Sequence, residues 1–114
     1  MAATLSKEER LSGKTAVKTL VSEGRWGTVP HIKYCYSISP DRDGNRIVVS
    51  VPKKFYKRAV KRNLLKRRMR EAYRTQKEML GHKGVDVMFV YSSSEIVKFE
   101  VIREEIAGIL SSIK

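Results

Sequence analysis

Residues 53–74 read KKFYKRAVKRNLLKRRMREAYR, the stretch with the densest positive charge in the 114-residue chain. Its one acid is Glu71, against eleven basic residues. At about 100° per residue, Leu65, Met69 and Tyr73 fall on one arc, together with Ala72. The residues on another arc are Asn63, Lys66, Arg67, Arg70 and Arg74. The stretch therefore predicts an amphipathic helix that packs on a core and turns a basic face outward.

The basic face favours a polyanion as its partner. A helix face that is only solvated usually mixes signs, with Glu four residues before Lys, whereas like charges crowd one another here. A rigid row of guanidinium and ammonium groups can match a phosphate backbone. The net charge of +12 and the sequence pI near 10.1 favour nucleic acid first and an anionic membrane surface second.

The chain length predicts a single domain that spans residues 1–114. Its first segment, residues 1–11, is polar and is expected to be flexible. Apolar residues at helical spacing then predict a helix over residues 13–23, ending at Gly24 as a left-handed cap. Trp26 falls in the connection that follows, residues 25–30, which carries at most a short edge strand at residues 28–29.

The rest of the chain predicts strands and two further helices. Residues 31–39 alternate as in a strand, and the Asp-Gly pair at residues 43–44 predicts a hairpin that joins it to a partner strand at residues 46–51. Residues 85–91 are apolar on both faces, typical of a central strand. Residues 99–113 carry the apolar stripe of a final helix. The order predicts an α+β two-layer sandwich with helices on a roughly four-stranded mixed sheet.

No catalytic or metal-binding constellation is predicted. His31 begins a strand and His82 sits in a glycine-flanked turn, so both favour surface histidines over general bases. Cys35 is the lone cysteine, which excludes an intrachain disulfide and favours a reducing, cytoplasmic setting. No apolar run reaches the length of a membrane span. We expect a cytoplasmic protein that binds no cofactor by itself.

Tyr34 and Tyr36 share one face of the first long strand. Single-stranded nucleic acid is held by stacking on aromatic rings beside basic groups. Ordinary strand residues with a buried ring and a solvated hydroxyl fit the pattern equally well. Both interpretations remain open at this point.

The segment SVPKKFYKRAVKRNLLKRRMREAYR resembles the signature segment of the bacterial ribonuclease P protein component, and the likeness covers nearly the whole chain. The family's strand end, S-V-x-K-K, is matched by Ser50, Val51, Lys53 and Lys54. Its helix motif, R-N-R-x-K-R, is matched by Arg62, Asn63, Lys66, Arg67 and Arg70. One position departs from the motif, because Leu64 replaces its second arginine. The first helix of the family often carries two aromatics, where this chain has Val17 and Val21.

The resemblance implies a fold like the second domain of a small-subunit ribosomal protein, with an uncommon left-handed crossover around the basic helix. It implies the non-catalytic protein subunit of an endoribonuclease that removes the 5′ leader of precursor tRNA. The reaction would depend on Mg²⁺ ions held in the RNA subunit. The implied partners are ribonuclease P RNA and precursor tRNA, without a membrane or an obligate protein partner. The alternative is a structural ribosomal or ribosome-associated RNA-binding protein.

Two binding surfaces are predicted, neither of them catalytic. The first docks on the catalytic RNA and comprises Lys53, Lys54, Arg58, Lys61, Arg62, Asn63, Lys66, Arg67, Arg68, Arg70 and Arg74. The second is a cleft between the first helix and the sheet that holds the extended leader. Its candidate lining is Val17, Val21, Lys33, and Tyr34 or Tyr36.

Overall fold

The computed structural model describes residues 6–113, which form helices packed on both faces of a mixed sheet. The elements in chain order are α1 (Lys14–Glu23), β1 (Arg25–Thr28), β2 (Ile32–Ile38), β3 (Arg46–Ser50), α2 (Ala59–Arg74), β4 (Val85–Tyr91) and α3 (Phe99–Ser112). Single turns of 3₁₀ helix lie at Lys7–Glu9 and Lys77–Met79. The predicted α+β fold with a four-stranded mixed sheet is confirmed.

The strands lie in the order β1-β2-β4-β3, with β2 antiparallel to both its neighbours and β3 parallel to β4. The central position predicted for β4 is therefore confirmed. The predicted hairpin of β2 with β3 is wrong, because β4 lies between them. Every side chain of β4 is at least half-buried, so the strand needs cover on both faces and a neighbour on each edge. Gly44 of the Asp-Gly pair does not adopt the positive φ of such a hairpin turn, and the positive φ near this end of the sheet occurs at Gly84 (φ 74°), which precedes β4.

The two faces of the sheet carry different helices. α2 and α3 cover one face, where Leu65 and Ile106 are fully buried with Phe89 of β4. α1 covers part of the other face, where Leu20 packs on Cys35 in a smaller cluster. The two layers of the predicted sandwich are thus the sheet and the α2–α3 pair, and α1 adds a partial layer on the opposite side.

Gly24 ends α1 in an extended conformation (φ −77°, ψ 168°), so the predicted left-handed cap is wrong. The glycine is needed for close packing instead. A Cβ at this position would lie 2.5 Å from Cys35 Sγ and 2.6 Å from the Leu20 carbonyl oxygen. The Cys35 thiol in turn donates to that same carbonyl at 3.2 Å. The end of α1 is therefore pressed onto β2.

Residues 1–11 were expected to be flexible, and residues 1–5 of this segment lie outside the described residues. Its described part is held against the sheet. The Leu11 amide donates to the Ile47 carbonyl (2.8 Å), and the Leu11 side chain is buried. Glu9 accepts a hydrogen bond from Lys77 Nζ at 2.6 Å, which ties the segment to the turn after α2.

Candidate RNA interface

α2 presents its basic residues outward because its inner side is apolar. Leu65, Met69, Ala72 and Tyr73 are buried against the sheet and α3. The predicted RNA-binding residues that are exposed on α2 and on the loop before it are Lys53, Lys54, Arg58, Lys61, Asn63, Arg67 and Arg70. We call this set the docking face.

Four of the predicted RNA-binding residues are less accessible. Arg62 Nη1 donates to the carbonyl oxygens of residues 56 and 57 (2.8 and 2.7 Å), which holds the loop before α2. Arg68 Nη1 donates to the Val97 carbonyl (2.9 Å) in the loop before α3. Arg74 is paired with Glu71, and Lys66 is half-buried. Arg62 and Arg68 thus position the loops beside the docking face.

The start of α2 is electrostatically unfavourable without an anion. Arg58 occupies the N-cap position without a side-chain cap, and the first turn contains no acid. The partial positive charge of a helix N-terminus therefore meets further positive charge. Later in the helix, burial lowers the pKa of Arg70, and the nearby Arg10 guanidinium lowers it further. Bound phosphate would relieve both conflicts.

The face of the sheet that carries α1 also holds three of the predicted cleft residues. Val17 is half-buried against the cluster around Cys35, and Val21 is 40% exposed. Lys33 is exposed on β2 and pairs in register with Val90 of β4. An open cavity of about 480 Å³ lies beside this helix, with Val17, Lys14, Lys18, Leu11 and Val48 in its lining.

The two tyrosines do not belong to this cleft, so that part of the prediction is wrong. Side chains alternate along β2, and Tyr34 and Tyr36 pack with the larger core on the α2–α3 side. Their rings stack on each other with centroids 6.4 Å apart. The Tyr34 hydroxyl lies 3.5 Å from Ser112 Oγ of α3. Cys35, between them, is the residue that faces α1.

The aromatic residue on the α1 side is Trp26, which sequence reasoning left in a connection. It pairs in register with Cys35, so it shares that residue's face of the sheet. The indole Nε1 donates to the Val21 carbonyl (3.2 Å), and 47% of the residue is exposed. Lys33 Nζ lies 5.8 Å from the ring centroid. The sequence suggested a short edge strand only at residues 28–29, whereas the strand runs over Arg25–Thr28 and therefore includes Trp26.

The titratable side chains of the described residues form structural contacts and no catalytic group. His31 Nδ1 lies 2.6 Å from Glu105 Oε2, and its backbone amide donates to the other carboxylate oxygen (2.9 Å), which joins β2 to α3. Within residues 6–113, no three His, Cys, Asp or Glu side chains converge as a metal site. Over the same residues, none of the helices combines the length and apolar character needed to cross a bilayer.

Comparison with known proteins agrees with this geometry. Residues 5–114 match the family described as Ribonuclease P. The ribonuclease P protein component of Porphyromonas gingivalis is 35% identical, over 90% of this chain and 73% of the relative. That of Chlorobaculum tepidum is 33% identical, over 96% of this chain and 82% of the relative.

The fold agrees as well. The ribonuclease P protein from Thermotoga maritima superposes with a TM-score of 0.82 at 28% sequence identity, covering 93% of this chain and 98% of that structure. Family match, relatives and fold all extend over most of the chain. The chain therefore belongs to the ribonuclease P protein family.

Proposed function

We propose that this chain is the protein subunit of ribonuclease P, which binds the catalytic RNA and the 5′ leader of precursor tRNA. The observation that carries the proposal is the docking face, a helix side and loop with seven exposed polar or basic residues held rigid by a buried apolar side. Such a face can bind RNA backbone through several phosphates at once. The ribosomal alternative is not favoured, since the relatives in both comparisons are ribonuclease P proteins.

The leader is proposed to lie on the sheet surface beside α1. An unpaired strand needs aromatic faces and basic groups in reach of one another. Trp26 and Lys33 provide them here, and Val17 and Val21 line the helix side. Ser50, which pairs with Val90 in the same row as Lys33, ends β3 just before the docking loop. The row of Lys33, Val90 and Ser50 therefore crosses the sheet from the proposed leader surface to the start of the docking loop.

This arrangement suggests how the protein supports cleavage. Contacts to the leader are available to precursor tRNA and absent from mature tRNA, so they favour substrate over product. Positive charge beside two RNAs also offsets their phosphate repulsion. We assign the chemistry to the RNA subunit and its Mg²⁺ ions.

The test is cleavage of a 5′-extended precursor tRNA by the cognate ribonuclease P RNA at low magnesium, with and without the protein. We expect the protein to restore accurate cleavage at magnesium concentrations where the RNA alone is slow. Tight RNA binding without any rescue would contradict the proposal and would favour a structural RNA-binding role.

A further inference from the structure

The docking face is interrupted by two apolar side chains. Val60 lies in the first turn of α2 and is 78% exposed, the largest exposure among the large hydrophobic residues described. Leu64 follows one turn later and is half-buried. Residues three or four apart are neighbours on the surface of a helix, so Arg67, three residues after Leu64, continues the same ridge. The ridge therefore changes from apolar to cationic along its length.

Core packing does not explain this pair. The buried side of α2 is centred on Leu65 and Met69, and at 100° per residue Val60 lies more than 120° from both. The neighbouring exposed residues are Lys61 and Asn63, so the pair is surrounded by polar groups. Val60 and the accessible part of Leu64 therefore form a small apolar area inside the docking face, where a partner can be contacted through apolar atoms.

We propose that Val60 and Leu64 contact an unpaired nucleobase of the ribonuclease P RNA, an inference that rests on the proposed function. Continuity with the docking face selects RNA as the occupant. A phosphate would lose hydration against these side chains without gaining a hydrogen bond. The bases of an A-form duplex are stacked and their wide groove presents hydroxyls, whereas an unpaired base offers an apolar face.

The contact has a distinct thermodynamic signature. Each phosphate contact made by Lys or Arg releases counterions and steepens the salt dependence of binding. An apolar contact contributes affinity that salt hardly changes. The contribution of Val60 and Leu64 to binding should therefore be separable from that of the cations on the docking face.

The experiment measures the Kd for ribonuclease P RNA at several salt concentrations, for the wild type and for Val60→Ala, Leu64→Ala and the double variant. Alanine is a strong helix former, so α2 should keep its structure, and thermal unfolding checks this. We expect each single change to raise Kd by roughly three- to thirtyfold, from the methyl groups removed, with an unchanged slope of log K against log salt. Met79→Ala, at an exposed apolar residue outside α2, should leave Kd unchanged.

Chemical probing of the RNA then identifies the contacted group. In the wild-type complex we expect one unpaired base to be protected from dimethyl sulfate, and the double variant should restore its reactivity while backbone protection elsewhere persists. An unchanged Kd in the double variant, or a loss accompanied by a flatter salt slope, would overturn the inference. Failure of the wild-type protein to bind the RNA would instead count against the proposed function.

Discussion

Trp26 shows how one residue can form a rigid platform on an edge strand. Its Nε1–H is bonded to the end of α1, its backbone is paired with β2, and Lys33 approaches the ring. An indole fixed in this way loses little conformational entropy when a base stacks on it. Val21, whose carbonyl accepts this hydrogen bond, has no aromatic ring on which a base could stack.

Replacing Trp26 by Ala should weaken precursor tRNA binding to the holoenzyme by about 1–3 kcal/mol, the usual range for one stacked base. Mature tRNA, which lacks the leader, should bind as before. The control is Tyr34→Ala, because that ring lies on the opposite face of the sheet. The measurement is the Kd of the holoenzyme for each RNA. Equal losses of affinity for precursor and mature tRNA would contradict the leader assignment.

Tyr56 carries a buried hydroxyl that has no hydrogen-bond partner within the described residues. Burial raises the pKa of this phenol, so it stays neutral. Tyr56→Phe should leave the free energy of unfolding unchanged or raise it by up to about 1 kcal/mol, since an unsatisfied polar group is removed. Tyr91→Phe should instead cost about 1–3 kcal/mol, because that hydroxyl bonds to two backbone groups of the following loop. Denaturant unfolding measures both.

At the scale of elements, the seating of α1 on β2 depends on Gly24. A Cβ added at Gly24 would meet both Cys35 Sγ and the Leu20 carbonyl oxygen, and backbone cannot move aside as a flexible side chain can. Gly24→Ala should therefore destabilise the protein by about 1–3 kcal/mol, as overpacking does. Gly44→Ala is the matched control, since a Cβ there meets nothing within 4 Å. If both variants unfold at the same denaturant concentration, the close packing at Gly24 does not determine the stability of the protein.

Helices and strands could be predicted from the sequence where the pattern that specifies them lies in neighbouring residues. The helical spacing of Leu65, Met69 and Tyr73 gave α2, and the apolar run of β4 gave its central position. Which strand pairs with which is decided over long range, so the Asp-Gly pair misleadingly suggested a hairpin. The same limit applied to the cleft, because alternation shows that Tyr34 and Cys35 face opposite ways but not which face α1 covers.

The N-terminal segment is tied to the rest of the molecule by a pH-dependent contact. The hydrogen bond from Lys77 holds the pKa of Glu9 below its ordinary value. The stabilisation is thus present above the unfolded pKa of about 4.3 and is lost as pH falls through the lower folded value. Glu9→Gln should cost about 0.5–1 kcal/mol near pH 7, as for a surface pair, and this cost should shrink as pH falls through the folded pKa. A difference from wild type that persists at low pH would show that charge is not its origin.

For the molecule as a whole, a net charge of +12 makes RNA affinity salt-dependent, but only cations that meet phosphate contribute to the slope. Arg67, on the docking face, should be one of them. Arg67→Ala should weaken binding to the ribonuclease P RNA and reduce the slope of log K against log salt by roughly one unit. Lys83→Ala removes the same charge from a residue paired with Asp43, off the docking face, and should leave the slope unchanged. An unchanged slope for Arg67→Ala would mean that Arg67 meets no phosphate, and equal reductions in both variants would mean that overall charge, rather than the geometry of α2, drives binding.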